Sequence, residues 1–261
     1  MKKSGSAIKG AAVVVGMWLA GTASAETIKV AMDNEAYPPF YSQQADGSWK
    51  GWEIDLLEAV CDQMKVTCQV ERMAWDGLIP ALQQKQVDVI WSSMTINAER
   101  RQVIDFSHFY YRTEDVIIGA KDDTRPVDCA KLDSLKGRAI GAQGGSIYAS
   151  YLDATAPAGV EVKSYDVMDN VLADLSSGRI DYALEGRTTF AHFLLDHPDY
   201  EVKSACPGND ILGMGIGAGL RKPDSALRDR ISAAIMTVTQ DGTWDRITAR
   251  YPAVKDVLGK P

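Results

Sequence analysis

Ile28-Lys29-Val30-Ala31-Met32, then Trp52-Glu53-Ile54-Asp55-Leu56-Leu57-Glu58-Ala59-Val60-Cys61-Asp62-Gln63-Met64, then Thr67-Cys68-Gln69-Val70-Glu71-Arg72 together decide the fold. The first run is short, alternating and β-branched, which predicts a strand. In the second, Ile54, Leu57, Cys61 and Met64 recur at steps of three and four. Glu53, Asp55 and Glu58 stand early in it, where the dipole of a helix favours acids. The third run predicts another strand, a helix follows over residues 76–85, and residues 87–91 predict a strand again. This β-α-β-α-β order predicts an α/β protein with a mostly parallel sheet and helices on both faces.

The alternation resumes further on. Residues 116–120 and 139–141 predict strands, 146–152 a helix, 160–164 a strand, 167–176 a helix ended by Gly178, and 180–184 a strand. After a Gly-rich passage at 213–219, hinge or strand, two helices are predicted over 225–240 and 243–250. Two β/α units and a returning C-terminal segment imply two lobes, the first built from both ends of the chain. We expect residues 26–111 and 215–261 in one lobe, 116–208 in the other, and a two-strand hinge at 112–115 and 209–214.

Composition narrows the class. The 261 residues are 46% hydrophobic and 24% charged, with a formal net charge of −7, values of a folded chain long enough for one or two cores. The acidic balance argues against a nucleic-acid partner, whose phosphates require clustered Lys and Arg. Lys2, Lys3 and Lys9 precede an apolar run from Ala11 to Ala20, and Ala23-Ser24-Ala25 supplies small residues at a cleavage position. Residues 1–25 thus read as a secretory signal peptide; the apolar run is too short for a membrane anchor, which needs about 20 residues. Beyond it remain 25 basic and 35 acidic residues, about −10. Export to an oxidising compartment fits four cysteines, and we expect Cys61–Cys68 and Cys129–Cys206 as disulfides. Zinc is the alternative, but no CxxC pair is present and no His stands near a Cys in sequence.

In open α/β sheets ligands bind beyond the carboxyl ends of strands. There the sequence places Ser92-Ser93-Met94-Thr95, followed by Arg100, whose guanidinium fork suits a carboxylate. The same residues fit an ordinary helix start, with Asn97 as the cap and both arginines solvated. Gln143-Gly144-Gly145-Ser146 lies between a strand and a helix, where backbone N–H groups can meet an anion; it also fits a plain turn. Tyr37 and Trp75 are candidates for stacking on a ligand, or else core aromatics. There is no GxSxG, HExxH, P-loop or early GxGxxG, and Gly213-Met214-Gly215-Ile216-Gly217 falls too late for a dinucleotide fingerprint. His108, His192 and His197 have no Ser or Cys partner in a recognisable order. No cofactor, no metal and no catalytic residue are expected.

Read together, Tyr37-Pro38-Pro39-Phe40, Gly51-Trp52-Glu53-Ile54-Asp55-Leu56, Trp75-Asp76-Gly77-Leu78-Ile79-Pro80, Asp88-Val89-Ile90-Trp91-Ser92-Ser93-Met94-Thr95-Ile96-Asn97-Ala98-Glu99-Arg100, Gly178-Arg179-Ile180-Asp181-Tyr182-Ala183-Leu184 and Gln240-Asp241-Gly242-Thr243-Trp244-Asp245 resemble the periplasmic polar amino-acid-binding proteins of ABC importers. The lysine/arginine/ornithine and histidine binders are the nearest in pattern. The Cys61-to-Cys68 spacing resembles a disulfide of that family. The resemblance implies a periplasmic-binding-protein fold whose two lobes close on one small carboxylate-bearing ligand, and a monomer that delivers it to an inner-membrane permease. It implies that Arg100 holds the ligand carboxylate with Thr95 and Ser146, and that Ser93 meets the α-amino group. Tyr37 and Trp75 would then sandwich the side chain, with Asn34, Glu53 and Ser92 at its distal end.

One position departs from the family. Two residues after Leu184, where α-amino-acid binders of this type carry an Asp for the ammonium, stands Gly186, preceded by Glu185. Either Glu185 substitutes, or the ligand is a substituted amine, such as an opine-like N-carboxyalkyl amino acid, using the room that glycine leaves. Asn34, where basic-residue binders have Asp, weakens a Lys or Arg ligand. Some periplasmic dehydratases resemble these binders, but they keep an acid beyond the GRxDxAL segment, where Gly186, Arg187, Thr188 and Thr189 offer none. A tethered ligand-sensing domain is a third class, disfavoured by the lack of a transmembrane run.

Overall fold

A computed structural model describes residue 1 and residues 26–213, 215–255 and 257–261. The expected leader, residues 2–25, and Met214 of the expected hinge lie outside the described residues. The strands are β1 (Thr27–Asp33), β2 (Ser42–Gln43), β3 (Trp49–Lys50), β4 (Thr67–Met73), β5 (Val89–Ile90), β6 (Asp105–Tyr111), β7 (Asp115–Ala120), β8 (Ala139–Gln143), β9 (Glu161–Tyr165), β10 (Tyr182–Gly186), β11 (Tyr200–Cys206) and β12 (Ile216–Leu220). The helices are α1 (Trp52–Met64), α2 (Leu78–Gln83), α3 (Arg100–Val103), α4 (Ile147–Thr155), α5 (Met168–Ser176), α6 (Phe190–Asp196), α7 (Ser225–Gln240) and α8 (Thr243–Thr248).

Two five-stranded sheets form two lobes, ordered β4-β1-β5-β12-β6 and β11-β7-β10-β8-β9. Each has apolar clusters on both faces. In the first, Ile28, Val30 and Met32 point to α1, α7 and α8, while Ala31 points to the α2 side. In the second, Ile117 packs with α4 and Val116 and Ile118 with α5 and α6. That is the period of two expected of a strand covered on both sides.

Strand direction positions the site. β1 runs parallel to β4 and β5, whereas β12 is antiparallel to both β5 and β6. Four of the five strands therefore point the same way and β12 alone is reversed. The second sheet repeats this: β8, β9, β10 and β11 share a direction and β7 is reversed. The reversed strand is in each case the one entered directly from the other lobe, through 112–114 into β7 and through 207–215 into β12. A reversed strand begins where its neighbours end, so both crossings join the carboxyl edge of one sheet to the carboxyl edge of the other. The two edges on which α/β proteins bind ligands face each other.

Local chemistry holds this frame. Helix α1 starts at Gly51, whose φ of 138° no side chain favours; a Cβ there would lie 2.1 Å from the Phe40 carbonyl oxygen. Both expected disulfides are present, Cys61–Cys68 and Cys129–Cys206. β6 and β11, which no sequence period announces, are edge strands of the two sheets.

Candidate functional site

Between the facing edges lies a cavity enclosing about 690 Å³ of space, open solvent at its mouth included. Of the residues singled out from sequence, Tyr37, Trp75, Ser92, Ser93, Thr95, Arg100, Ser146, Glu185 and Gly186 line it.

Arg100 is 8% exposed, and its backbone N–H donates to Asn97 Oδ1 at 2.9 Å. Both open readings of this segment hold in part: Asn97 does cap the turn, yet Arg100 is turned inward while Arg101 is exposed. The Arg100 guanidinium donates to the Thr95 carbonyl at 3.0 Å and lies over the Trp75 ring at 5.5 Å. Burial lowers its pKa to about 10, so it stays charged, a cation facing the cavity.

Ser93, with φ of 50°, is pinned from below. Its N–H and its hydroxyl both donate to the Glu53 carboxylate at 2.7 Å, and Tyr111 donates to Ser93 Oγ at 3.0 Å. Ser93 Oγ keeps one lone pair for a donor in the cavity. Tyr110 also donates to Glu53, and Trp91 stacks on Tyr110 at 4.3 Å. Glu53 is 0% exposed and lies outside the cavity wall. The expectation that it meets the ligand's distal end is therefore corrected: three donors draw it under the floor, where it holds Ser93.

Asn34 is likewise corrected. Strand β1 extends through Asp33, and the alternation turns Asp33, 6% exposed, into the cavity and leaves Asn34 exposed, its carbonyl bonded by Arg72. Burial raises the Asp33 carboxyl above the usual carboxylate range. Ser92 Oγ accepts from the Asp33 N–H and donates to Tyr41. Ser146 caps α4, accepting from the Ala149 N–H at 3.2 Å. The room expected above Gly186 is filled: a Cβ there would lie 3.2 Å from the Tyr148 hydroxyl and 3.3 Å from Thr113 Cγ2.

The lobes touch across the cavity mouth. Tyr37 OH meets Thr189 Oγ1 at 2.7 Å, and Trp75 Nε1 donates to the Gly145 carbonyl at 3.2 Å. Glu35 accepts from the N–H groups of Met168 and Asp169 at the start of α5, at 3.2 and 3.3 Å. Sequence reading missed Asp33, Glu35, Tyr148 and Thr189 among the lining residues. Tyr148 and Thr189 carried no signal beyond lying after a strand end.

This geometry is that of a cleft receptor, two lobes meeting over a small polar cavity. The chain belongs to the bacterial extracellular solute-binding proteins, family 3, whose model matches residues 28–253. It is 35% identical to the lysine/arginine/ornithine-binding periplasmic protein of Escherichia coli (strain K12), over 96% of this chain and 97% of that one. An ancestral arginine-binding protein bound to arginine superposes with a TM-score of 0.76 at 30% identity, covering 87% of this chain and 98% of that one. An ancestral amino acid-binding protein described as a precursor of cyclohexadienyl dehydratase superposes with a TM-score of 0.74 at 25% identity, covering 86% and 94%. The chain is a solute-binding protein rather than an enzyme.

Proposed function

We propose that this protein captures an amino acid or amino-acid derivative between its lobes in the periplasm and delivers it, as a monomer, to the permease of an ABC importer, after removal of residues 1–25. The observation that carries the reading is Arg100: an inward-turned guanidinium facing the cavity, whose nearest bonds are to a neutral carbonyl and an aromatic face. A buried cation without an anion is costly unless a ligand supplies one.

In this reading Arg100 receives the ligand carboxylate with Thr95 and Ser146, and Ser93 Oγ accepts from the amino group beside Glu185 and Gly186. Tyr37 and Trp75 flank the side chain, and Ser92 stands at the distal end with Asp33. Hinge residues 112–115 and 209–214 join lobes 26–111 with 215–261 and 116–208. Asp33 at the distal end favours a cationic side chain, which restores the basic ligand that Asn34 had weakened. The names of the lysine/arginine/ornithine and arginine binders support the same class.

A thermal-shift screen tests this, using the twenty L-amino acids, ornithine, citrulline and octopine. We expect the largest stabilisation from arginine, lysine or ornithine, and none from a decarboxylated analogue such as agmatine. Stabilisation by octopine alone favours the substituted-amine ligand, and none by any member overturns the amino-acid reading.

A further inference from the structure

Arg100 owes its place to a neighbour that stays out of the cavity. Asn97 is 5% exposed and lies outside the cavity wall. Ala98 and Glu99 after it are exposed, so Asn97 is the one buried anchor between Ile96 and Arg100. Helix α3 is a single turn of four residues, too short to hold its own shape. The bend that carries Arg100 is therefore fixed from Asn97. Its Oδ1 accepts from the Arg100 N–H at 2.9 Å, which caps the turn, and its Nδ2 donates to the Ile211 carbonyl at 3.1 Å. A helix cap needs only the first of these bonds. A carboxylate at this position could only accept, and a hydroxyl would have to serve both partners from one atom.

The second bond leads to the other lobe. Ile211 lies in the crossing at 207–215, in a turn closed by Asn209, whose Oδ1 accepts from the N–H groups of Ile211 and Leu212 at 2.9 and 3.0 Å. Leu212, 2% exposed, packs into the apolar cluster of the second lobe with Ile117, Tyr148 and Leu184, and Ile211 packs against the same cluster. The carbonyl that Asn97 holds is thus fixed by the core of the second lobe. Beside it, the Ile96 N–H donates to the Gly215 carbonyl at 2.8 Å, and a Cβ on Gly213 would lie 2.5 Å from the Ile96 carbonyl oxygen, so the crossing and the bend lie flush. This short stretch holds Arg100 at both ends, its backbone through Asn97 and its guanidinium through the Thr95 carbonyl.

We propose that Asn97 is the positioning residue for the carboxylate fork: its amide ties the bend that carries Arg100 to the second crossing, so that the guanidinium stands in place before a ligand arrives. The bond lies at a connection about which the lobes turn, so opening the cleft does not release it. This rests on the reading of Arg100 as the receiver of a ligand carboxylate. A ligand then meets an ordered Arg100; ordering one long side chain only on binding would cost about two- to tenfold in affinity.

Asn97→Thr decides it, because threonine keeps the cap and loses the donor to Ile211. Calorimetry should show L-arginine bound about two- to tenfold more weakly, and Asn97→Ala at least as weakly; Asn97→Thr at full affinity would leave Asn97 a cap and nothing more, and overturns the proposal. The loss should shrink toward nothing in an Arg100→Lys background; an equal loss there means that Asn97 does not act through Arg100, which also overturns it. Asn209→Ala loosens the same carbonyl from an exposed position outside the cavity, and carries the test alone if Asn97→Thr does not fold. It should weaken binding in the same sense and add little to Asn97→Thr, whereas full affinity or full additivity refutes the link. In the empty protein, nitrogen-15 relaxation of the Arg100 side-chain Nε, identified by its absence from Arg100→Lys, should show an order that Asn97→Thr lowers. Equal order in both chains sinks the proposal whatever binds. Lowered order with no amino acid bound leaves the positioning role standing and refutes the amino-acid reading instead.

Discussion

Removing the Glu35 carboxylate should weaken ligand binding even if Glu35 never touches the ligand, because Glu35 joins the lobes only when the cleft is closed. It accepts from the Met168 and Asp169 N–H groups at 3.2 and 3.3 Å, at the positive end of α5, where an anion gains about 0.3–1 kcal/mol from the dipole. A charge-assisted bond contributes about 1.5–3 kcal/mol in good geometry. These two are long and half-buried, so solvent screens them and about 1.4 kcal/mol for the pair is a fair magnitude. That is roughly a tenfold shift from closed to open, and the same factor in affinity when the empty protein is mostly open. Calorimetry with L-arginine on Glu35→Ala measures the loss, and scattering should show a larger radius at subsaturating ligand. A second variant separates the clasp from a direct ligand contact. Met168 is the first residue of α5, where proline is tolerated, and Val167 before it is already extended at φ −137° and ψ 149°. Met168→Pro deletes one donor while leaving Glu35 in place, with Met168→Ala as the control for the lost side chain. If the clasp is real, Glu35→Ala costs less in the Met168→Pro background than alone. Equal costs in both backgrounds would refute it.

Arg100→Ala should lower affinity for L-arginine at least about a hundredfold, since it deletes the charge-assisted fork for the carboxylate; near-unaltered calorimetry would sink that role. Glu53→Ala strands the donors of Ser93 and Tyr110, so denaturant titration should show a loss of about 3 kcal/mol, with weaker binding as well; a variant of unchanged stability would mean the network under the floor does not matter. Loop-closure entropy makes Cys129–Cys206, with a sequence separation of 77, more stabilising than Cys61–Cys68, with 7: about 4.5 against about 2.5 kcal/mol. Paired Cys→Ser variants compared by denaturant midpoint check the order. Gly51→Ala should cost several degrees of melting temperature or prevent folding, because its Cβ would enter the Phe40 carbonyl; an unchanged melt would show that the loop yields.

Elements with a clean period were legible. β1, β5 and β7 carried β-branched runs, and α1, α5 and α7 carried helical spacing, so both α/β lobes followed from pattern. β12 was legible only as one of two options, hinge or strand, because Ile216-Gly217-Ala218-Gly219-Leu220 is rich in glycine. Its glycines answer to packing: a Cβ on Gly217 would lie 2.8 Å from Ile96 Cδ1, and one on Gly219 3.2 Å from Ile104 Cδ1. No local propensity encodes a neighbour 120 residues away. In the site, Arg100 and Ser93 were legible because they follow a strand end. Asn34, a position the resemblance supplied, faces water because β1 runs on through Asp33 and its period of two turns Asp33 inward instead. Glu53 was rightly placed on a helix start, but which neighbours would claim its oxygens depended on Tyr110, 57 residues on.

The topology also divides the site into two functional depths. Both crossings lie at the carboxyl edges, so in the closure proposed above the lobes turn about these two connections and residues near them move least. Thr95 and Tyr111 both pair with Ile216 at the base, within one lobe, so the proposed closure leaves their geometry unchanged. There Ser93 and Arg100 are preorganised by bonds within one lobe. The contacts of Glu35, Tyr37 and Trp75 reach from one lobe to the other at the mouth, so they exist only in the closed form. Base residues therefore set what binds, through differential contact with one ligand over another. Rim residues set how readily the cleft shuts on anything that fits. Loss of the Glu35 clasp should thus scale the affinities of arginine, lysine and ornithine by one common factor, while substitution at Asp33, which faces the end where the three differ, should change their order.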